Sequence, residues 1–143
     1  MQKRVLIVED SDDIGTALKL LIEYEGYEAV LANRAFLGLD LAASLAPNLI
    51  IVDIVLPDMD GIELTRALRA LPETETTPIV CVSSYIQGHK EEALSAGCNE
   101  VFTKTTFMES FQETLTKYLR ESDALRAGAS EASFSLFKST DGS

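Results

Sequence analysis

Five residues far apart in the chain share one trait: each closes a short apolar run. VLIV ends on Glu9 and Asp10, LIIV on Asp53, IVCV on Ser83, and VFT on Lys104. Their side chains are three carboxylates, a hydroxyl and an ammonium. Carboxylates brought together repel, and each pKa rises unless positive charge joins them. Lys104 would supply one charge and a divalent cation two. Oxygen ligands, few in number and with room for water, suit Mg²⁺; zinc would want His or Cys. A cation and an ammonium beside a carboxylate are also equipment for binding a phosphoryl group. They neutralise its equatorial oxygens while the carboxylate attacks in line. Asp53 is then a candidate nucleophile that forms an acyl phosphate. Taken singly, an Asp or Ser at a strand end is better read as the cap of the next helix. Asp12 and Asp13 are expected to cap the first helix in that way. The joint placement of the five favours a shared site.

That placement depends on the elements that carry the five. Val5–Val8, Tyr27–Ala32, Leu49–Val52, Ile79–Val82 and Val101–Phe102 are short and mostly β-branched or aromatic, as expected of strands covered on both faces. Helical spacing recurs between them. The apolar stripes are Ile14 to Ile22, closed by Gly26; Leu37, Leu41 and Leu45, ended by Pro47; and Ile62 to Leu71, stopped at Pro72. Lys90–Ala96 is a fourth helix, followed by Gly97, and Phe107, Met108, Phe111, Leu115, Tyr118 and Leu119 make a fifth. Alternating strands and helices predict a flavodoxin-like, doubly wound α/β fold: five parallel strands in the order 2-1-3-4-5, with five helices. Ligands of such sheets sit beyond the carboxyl ends of the strands, where the order reverses. Glu9, Asp10, Asp53, Ser83 and Lys104 all fall on that rim.

The 143 residues suffice for one domain with a full core. A net charge of −11, with no basic stripe, argues against direct binding to nucleic acid. No apolar run reaches membrane-spanning length, and MQKRVLIVED carries no signal-peptide pattern. Cys81 and Cys98 fit neither a metal spacing nor a disulfide framework, so free thiols in the cytoplasm are expected. The domain is expected to span residues 1–121. Residues 122–143, rich in Ser and Ala, are expected to be a flexible tail or the start of a linker. Phe134, Leu136 and Phe137 offer the alternative of docking on the domain or a partner.

Over roughly residues 3–120, the chain resembles the receiver domains of two-component response regulators, the CheY-like superfamily. VLIVED is similar to the acidic motif of the first strand, and VDIVLPDMDGIEL to the phosphoacceptor motif, with Pro57 and Gly61 shaping the loop. PIVCVSS matches the strand that ends in a hydroxyl, and AGCNEVFTK the segment that leads to the family's Lys. The resemblance implies that Asp53 is phosphorylated by a histidine kinase or phosphotransfer protein and that Ser83 and Lys104 contact the phosphoryl oxygens. It also implies that Mg²⁺ is held by Asp10, Asp53 and the Val55 backbone carbonyl, with Glu9 acting through water. The chain would be a phosphoacceptor rather than an enzyme, though it takes part in its own phosphorylation and slow dephosphorylation. A downstream effector would be switched by phosphorylation, and the face formed by helix 4, strand 5 and helix 5 commonly pairs receivers as homodimers.

Three positions depart from the family pattern. Val101 stands where an aromatic residue usually rotates inward, so output is expected through Ser83 and the backbone of Ser84–Gly88. Phe102 faces the other side of its strand. Thr105 replaces the Pro that normally follows the Lys through a cis bond. Since a non-proline cis bond costs about 2.5–4 kcal/mol, a trans peptide and a reshaped turn are expected. Val55 cannot position a water and Tyr85 could shield the site, which predicts slow dephosphorylation. Among rival readings, Asp58-Met59-Asp60-Gly61 is similar to a phosphatase motif, but Asp58 follows Pro57 in a loop. No dinucleotide or nucleotide-hydrolase loop is present. His89, the only histidine, is expected to be exposed near the fourth helix. The alternative of another class is a pseudo-receiver, a phosphorylation-independent interaction module.

Overall fold

Residues that are apolar on both faces of a strand need cover on both sides, and here they have it. Val5–Val8, Leu49–Val52 and Ile79–Cys81 are all buried. The structure, a computed structural model, describes residues 2–84 and 89–120. The strands are β1 (Arg4–Val8), β2 (Glu28–Ala32), β3 (Leu49–Asp53), β4 (Ile79–Ser83) and β5 (Glu100–Thr103). They form one parallel sheet in the order β2-β1-β3-β4-β5, as the sequence predicts.

The helices are α1 (Asp12–Tyr24), α2 (Ala35–Leu45), α3 (Gly61–Ala70), α4 (Lys90–Ala96), α5 (Lys104–Glu109) and α6 (Phe111–Leu115). A π-helical turn, Thr116–Arg120, follows α6. Side chains alternate across the sheet. Leu6, Val8, Ile50, Val52, Ile79 and Cys81 share a core cluster with residues of α2, α3 and α4. On the other face Ile7, Ile51 and Val82 line a cavity of ≈ 230 Å³ together with Ile14, Leu18 and Phe107 of α1 and α5. At the rim remote from the carboxyl strand ends, Arg69 donates to the carbonyls of Gly97, Thr74 and Thr77 and to Asn99 Oδ1.

Several expectations need correction. Six helices are present among the described residues, not five, because the last predicted helix is interrupted. Ser110 adopts φ −107°, ψ 19°, and its carbonyl accepts both the N–H and the hydroxyl of Thr114, so a new helix starts there. The described residues accordingly form two units, one through Glu109 and one from Ser110. Ser11, not Asp12 or Asp13, caps α1: its Oγ accepts from Ile14 N, while the two acids sit in the first turn and complement the helix dipole. His89 is half-buried at the start of α4. The expected tail, 122–143, and the expected output loop beyond Ser84 lie outside the described residues. Among the described residues no helix is long and apolar enough to cross a membrane, and both cysteines are buried and free.

Candidate functional site

The sheet register brings the predicted residues to one rim. Val8 pairs with Val52, Asp53 with Val82, and Ser83 with Thr103, so β1, β3, β4 and β5 end side by side. Glu9, Asp10 and Asp53 each present a carboxylate oxygen within 4.8 Å of the others. Glu9 and Asp53 are buried, whereas Asp10 is exposed. Lys104 Nζ lies 3.2 Å from Asp53 Oδ2 and 3.5 Å from Glu9 Oε1. Ser83 is buried at the end of β4, next to the Val82 that pairs with Asp53.

The backbone fixes each acid. Ser11 N donates to Glu9 Oε2 at 3.0 Å, and Val55 N donates to Asp53 Oδ1 at 3.0 Å. The loop after Asp53 returns at once: Ile54 N binds Val82 O, and Gly61 N binds Ile54 O at 2.7 Å. A Cβ on Gly61 would overlap the Asp53 carbonyl and lie 2.7 Å from Ile54 Cα, so only glycine permits the approach. Lys104 opens α5 through a reshaped turn. Thr103 Oγ1 accepts from Thr106 N at 3.1 Å, and no cis peptide occurs among the described residues, as expected for Lys104–Thr105.

The charges do not balance, since three carboxylates face one ammonium. Burial, reinforced by Asp53, pushes Glu9 up to about 7 against the opposing Ser11 N–H and Lys104. Burial pulls the Lys104 ammonium down, but Asp53 and Glu9 outweigh it and hold its pKa above the usual lysine value. The donor set is oxygen only, partly open to solvent and short of positive charge, which fits a hard divalent cation and not a thiophilic one.

The model of the response regulator receiver domain family matches residues 5–116. The chain belongs to the response-regulator receiver family. The receiver is 34% identical over 120 residues to the polar-differentiation response regulator DivK of Brucella anthropi, covering 83% of this chain and 98% of DivK. The chemotaxis protein CheY4 of Vibrio cholerae superposes with a TM-score of 0.78 at 27% identity, over 83% of this chain and all of CheY4. The receiver domain of the sensor histidine kinase PA1611 of Pseudomonas aeruginosa, crystallised with a magnesium ion coordinated in its active-site cleft, gives 0.76 at 26% identity. That match covers 82% of this chain and 98% of PA1611's domain.

In this receiver Val101 is buried in the aliphatic cluster with Ala93, Ala96 and Cys98. Phe102, on the opposite side of β5, packs against Phe107 of α5, the ring centroids 5.9 Å apart and the planes tilted by 46°. The position expected to carry a rotating aromatic thus holds a packed aliphatic side chain. Asp58, which the sequence offers only as part of the discounted phosphatase motif, has a structural role: its two carboxylate oxygens accept from Ala35 N (2.8 Å) and Phe36 N (2.9 Å). Asp60 Oδ1 accepts from Ile62 N. Both acids of Asp-x-Asp-Gly are therefore engaged at helix N-termini, of α2 and α3, which leaves the phosphatase reading no pair to use. The sequence carries no local signal for Asp58, because its partners lie more than twenty positions away.

Proposed function

We propose that this receiver takes a phosphoryl group from the phosphohistidine of a histidine kinase or phosphotransfer protein onto Asp53. The observation that carries the reading is the Glu9, Asp10 and Asp53 carboxylate cluster with Lys104 Nζ at 3.2 Å from Asp53. An Asp53 oxygen attacks phosphorus; the P–O bond forms as the P–N bond breaks, and the imidazole leaves with the electron pair. Lys104 follows the charge onto the phosphoryl oxygens, and the Ser83 hydroxyl donates to them. Asp10, Asp53 and the Val55 carbonyl would hold Mg²⁺, with Glu9 acting through water, and the ion when bound supplies neutralising charge at the phosphoryl oxygens.

The protein is in this reading a phosphoacceptor, not an enzyme with an external product. The new dianionic group biases a surface that an effector reads. The α4–β5–α5 face is the candidate for effector binding and homodimerisation, and the cytoplasm is the expected compartment, supported by the two free thiols. Val101, packed among aliphatic side chains, favours one second reading: a pseudo-receiver that binds partners without phosphorylation. One experiment separates them. Incubated with Mg²⁺ and a small phosphoryl donor, the intact protein should gain the mass of one phosphoryl group, and Asp53→Asn should gain none. An unmodified wild-type protein would leave the pseudo-receiver standing.

A further inference from the structure

The loop between Ile54 and Asp60 carries the backbone that flanks Asp53, yet among the described residues little fastens its middle. Its ends are tied, at Ile54 by β4 and Gly61 and at Asp60 by the α3 cap. Between them Val55, Pro57 and Asp58 are exposed, and Leu56 and Met59 pack only partly on the core. The side chain that ties this stretch to another element is Asp58. Its carboxylate reaches across to the first turn of α2 and takes two backbone N–H groups, at 2.8 Å from Ala35 and 2.9 Å from Phe36. The residue before α2, Arg34, makes no side-chain cap of its own, so Asp58 fills from another loop the role that an N-cap normally plays. A desolvation effect that would raise the Asp58 pKa is outweighed by these two N–H donors, which hold the carboxyl below its usual range.

We propose that Asp58 is a positioning residue for the metal-binding loop: by clamping residues 55–59 to α2, it holds the Val55 carbonyl where a cation bound by Asp10 and Asp53 needs it. The inference rests on the functional reading above for the identity of that cation. Asp58 touches no member of the carboxylate cluster; its effect passes along Leu56 and Pro57, the two residues that separate it from Val55, and back to Asp53 through the Val55 N–H bond at 3.0 Å. Outer groups that orient a ligand affect metal affinity in this indirect way, by restricting where the ligand atom can be. The same clamp ties the first turn of α2, and with it the exposed Phe36 side chain, to the state of the loop.

Two variants separate clamping from charge. Asp58→Ala removes both acceptors, whereas Asp58→Asn removes the charge and keeps one of the two acceptors, since its amide NH2 cannot accept the second N–H. Calorimetric titration of the full chain with Mg²⁺ should show affinity weakened by about tenfold in Asp58→Ala and by clearly less in Asp58→Asn, which keeps half of the clamp. Amide exchange resolved by residue should rise together at Ala35, Phe36 and Val55 in Asp58→Ala. Equal weakening in both variants would make Asp58 a remote charge and overturn the proposal. Wild-type affinity in Asp58→Ala, with faster exchange confined to α2, would reduce it to a helix cap and overturn it too. A wild-type protein that binds no Mg²⁺ would remove the functional reading and this inference with it, and that outcome is visible before any variant is made.

Discussion

In the metal-free protein the missing positive charge is replaced by a proton, and Glu9 is where it sits. Burial and the neighbouring Asp53 push this carboxyl from its ordinary 4.5 up to about 7. An unfolded chain releases the same proton near 4.5. Between those values the folded state binds more protons than the unfolded one, so stability falls as pH rises through the window, and the contribution of this proton is lost above about 7. At about 1.36 kcal/mol per pH unit the gap amounts to at most roughly 3 kcal/mol, and water at the rim reduces it to on the order of 1–2 kcal/mol. Cation binding runs the other way, because it needs the ionised site. One unit below the pKa only about a tenth of the molecules are ionised, so apparent Mg²⁺ affinity should drop about tenfold near pH 6 from its plateau above about pH 8. Denaturant midpoints measured from about pH 5 to about pH 8.5, with and without Mg²⁺, report both effects. Glu9→Gln should flatten the metal-free profile and remove most of the pH dependence of the Mg²⁺ increment. An unchanged slope in Glu9→Gln would refute the reasoning, since some other group would then hold the proton.

Three further outcomes follow from the same geometry. Lys104→Ala should slow phosphorylation by a small-molecule donor about 10²-fold, measured as a time course of intact mass, because the cation that meets the phosphoryl oxygens is gone. Mg²⁺ affinity in that variant should be no weaker, since the lost charge opposed the ion's. Gly61→Ala should lower stability by about 1–3 kcal/mol in chemical denaturation and slow phosphorylation as well, because the methyl must push the Asp53–Ile54 backbone aside. Val55, 68% exposed beside Asp53, gives an attacking water no hydrogen bond. Val55→Gln should therefore shorten the phosphoryl lifetime severalfold, and a lengthened lifetime would contradict the assignment.

The sheet was legible because its central strands, β1, β3 and β4, are buried on both faces, which leaves apolar runs such as Val5–Val8 that no helical period explains. The site was legible for a related reason. An acid at the tip of such a run, as at Asp53, has no packing role, and the strand order alone decides which tips meet. Contacts set by tertiary placement were not legible. Asp58 sits in a loop whose composition announces only a turn, and its bonds to Ala35 and Phe36 depend on where α2 lands. Ser11 is the cap, not Asp12 or Asp13, because α1 already begins at Asp12, which places both acids inside the first turn. The apolar stripe from Phe107 to Leu119 keeps its period across Ser110, so periodicity could not reveal the break that the Ser110 backbone makes. The proton on Glu9 arises from burial and from Asp53 together, and neither can be read from position nine alone.

The central claim concerns one bond, between an Asp53 carboxylate oxygen and phosphorus. Reductive trapping of the phosphorylated protein with borohydride, followed by peptide mapping, tests it most directly. Acyl phosphate chemistry predicts conversion at residue 53 alone, dependent on Mg²⁺ and absent in Asp53→Asn. An adduct that resists reduction, or one that maps to the Ser83 hydroxyl, would contradict it.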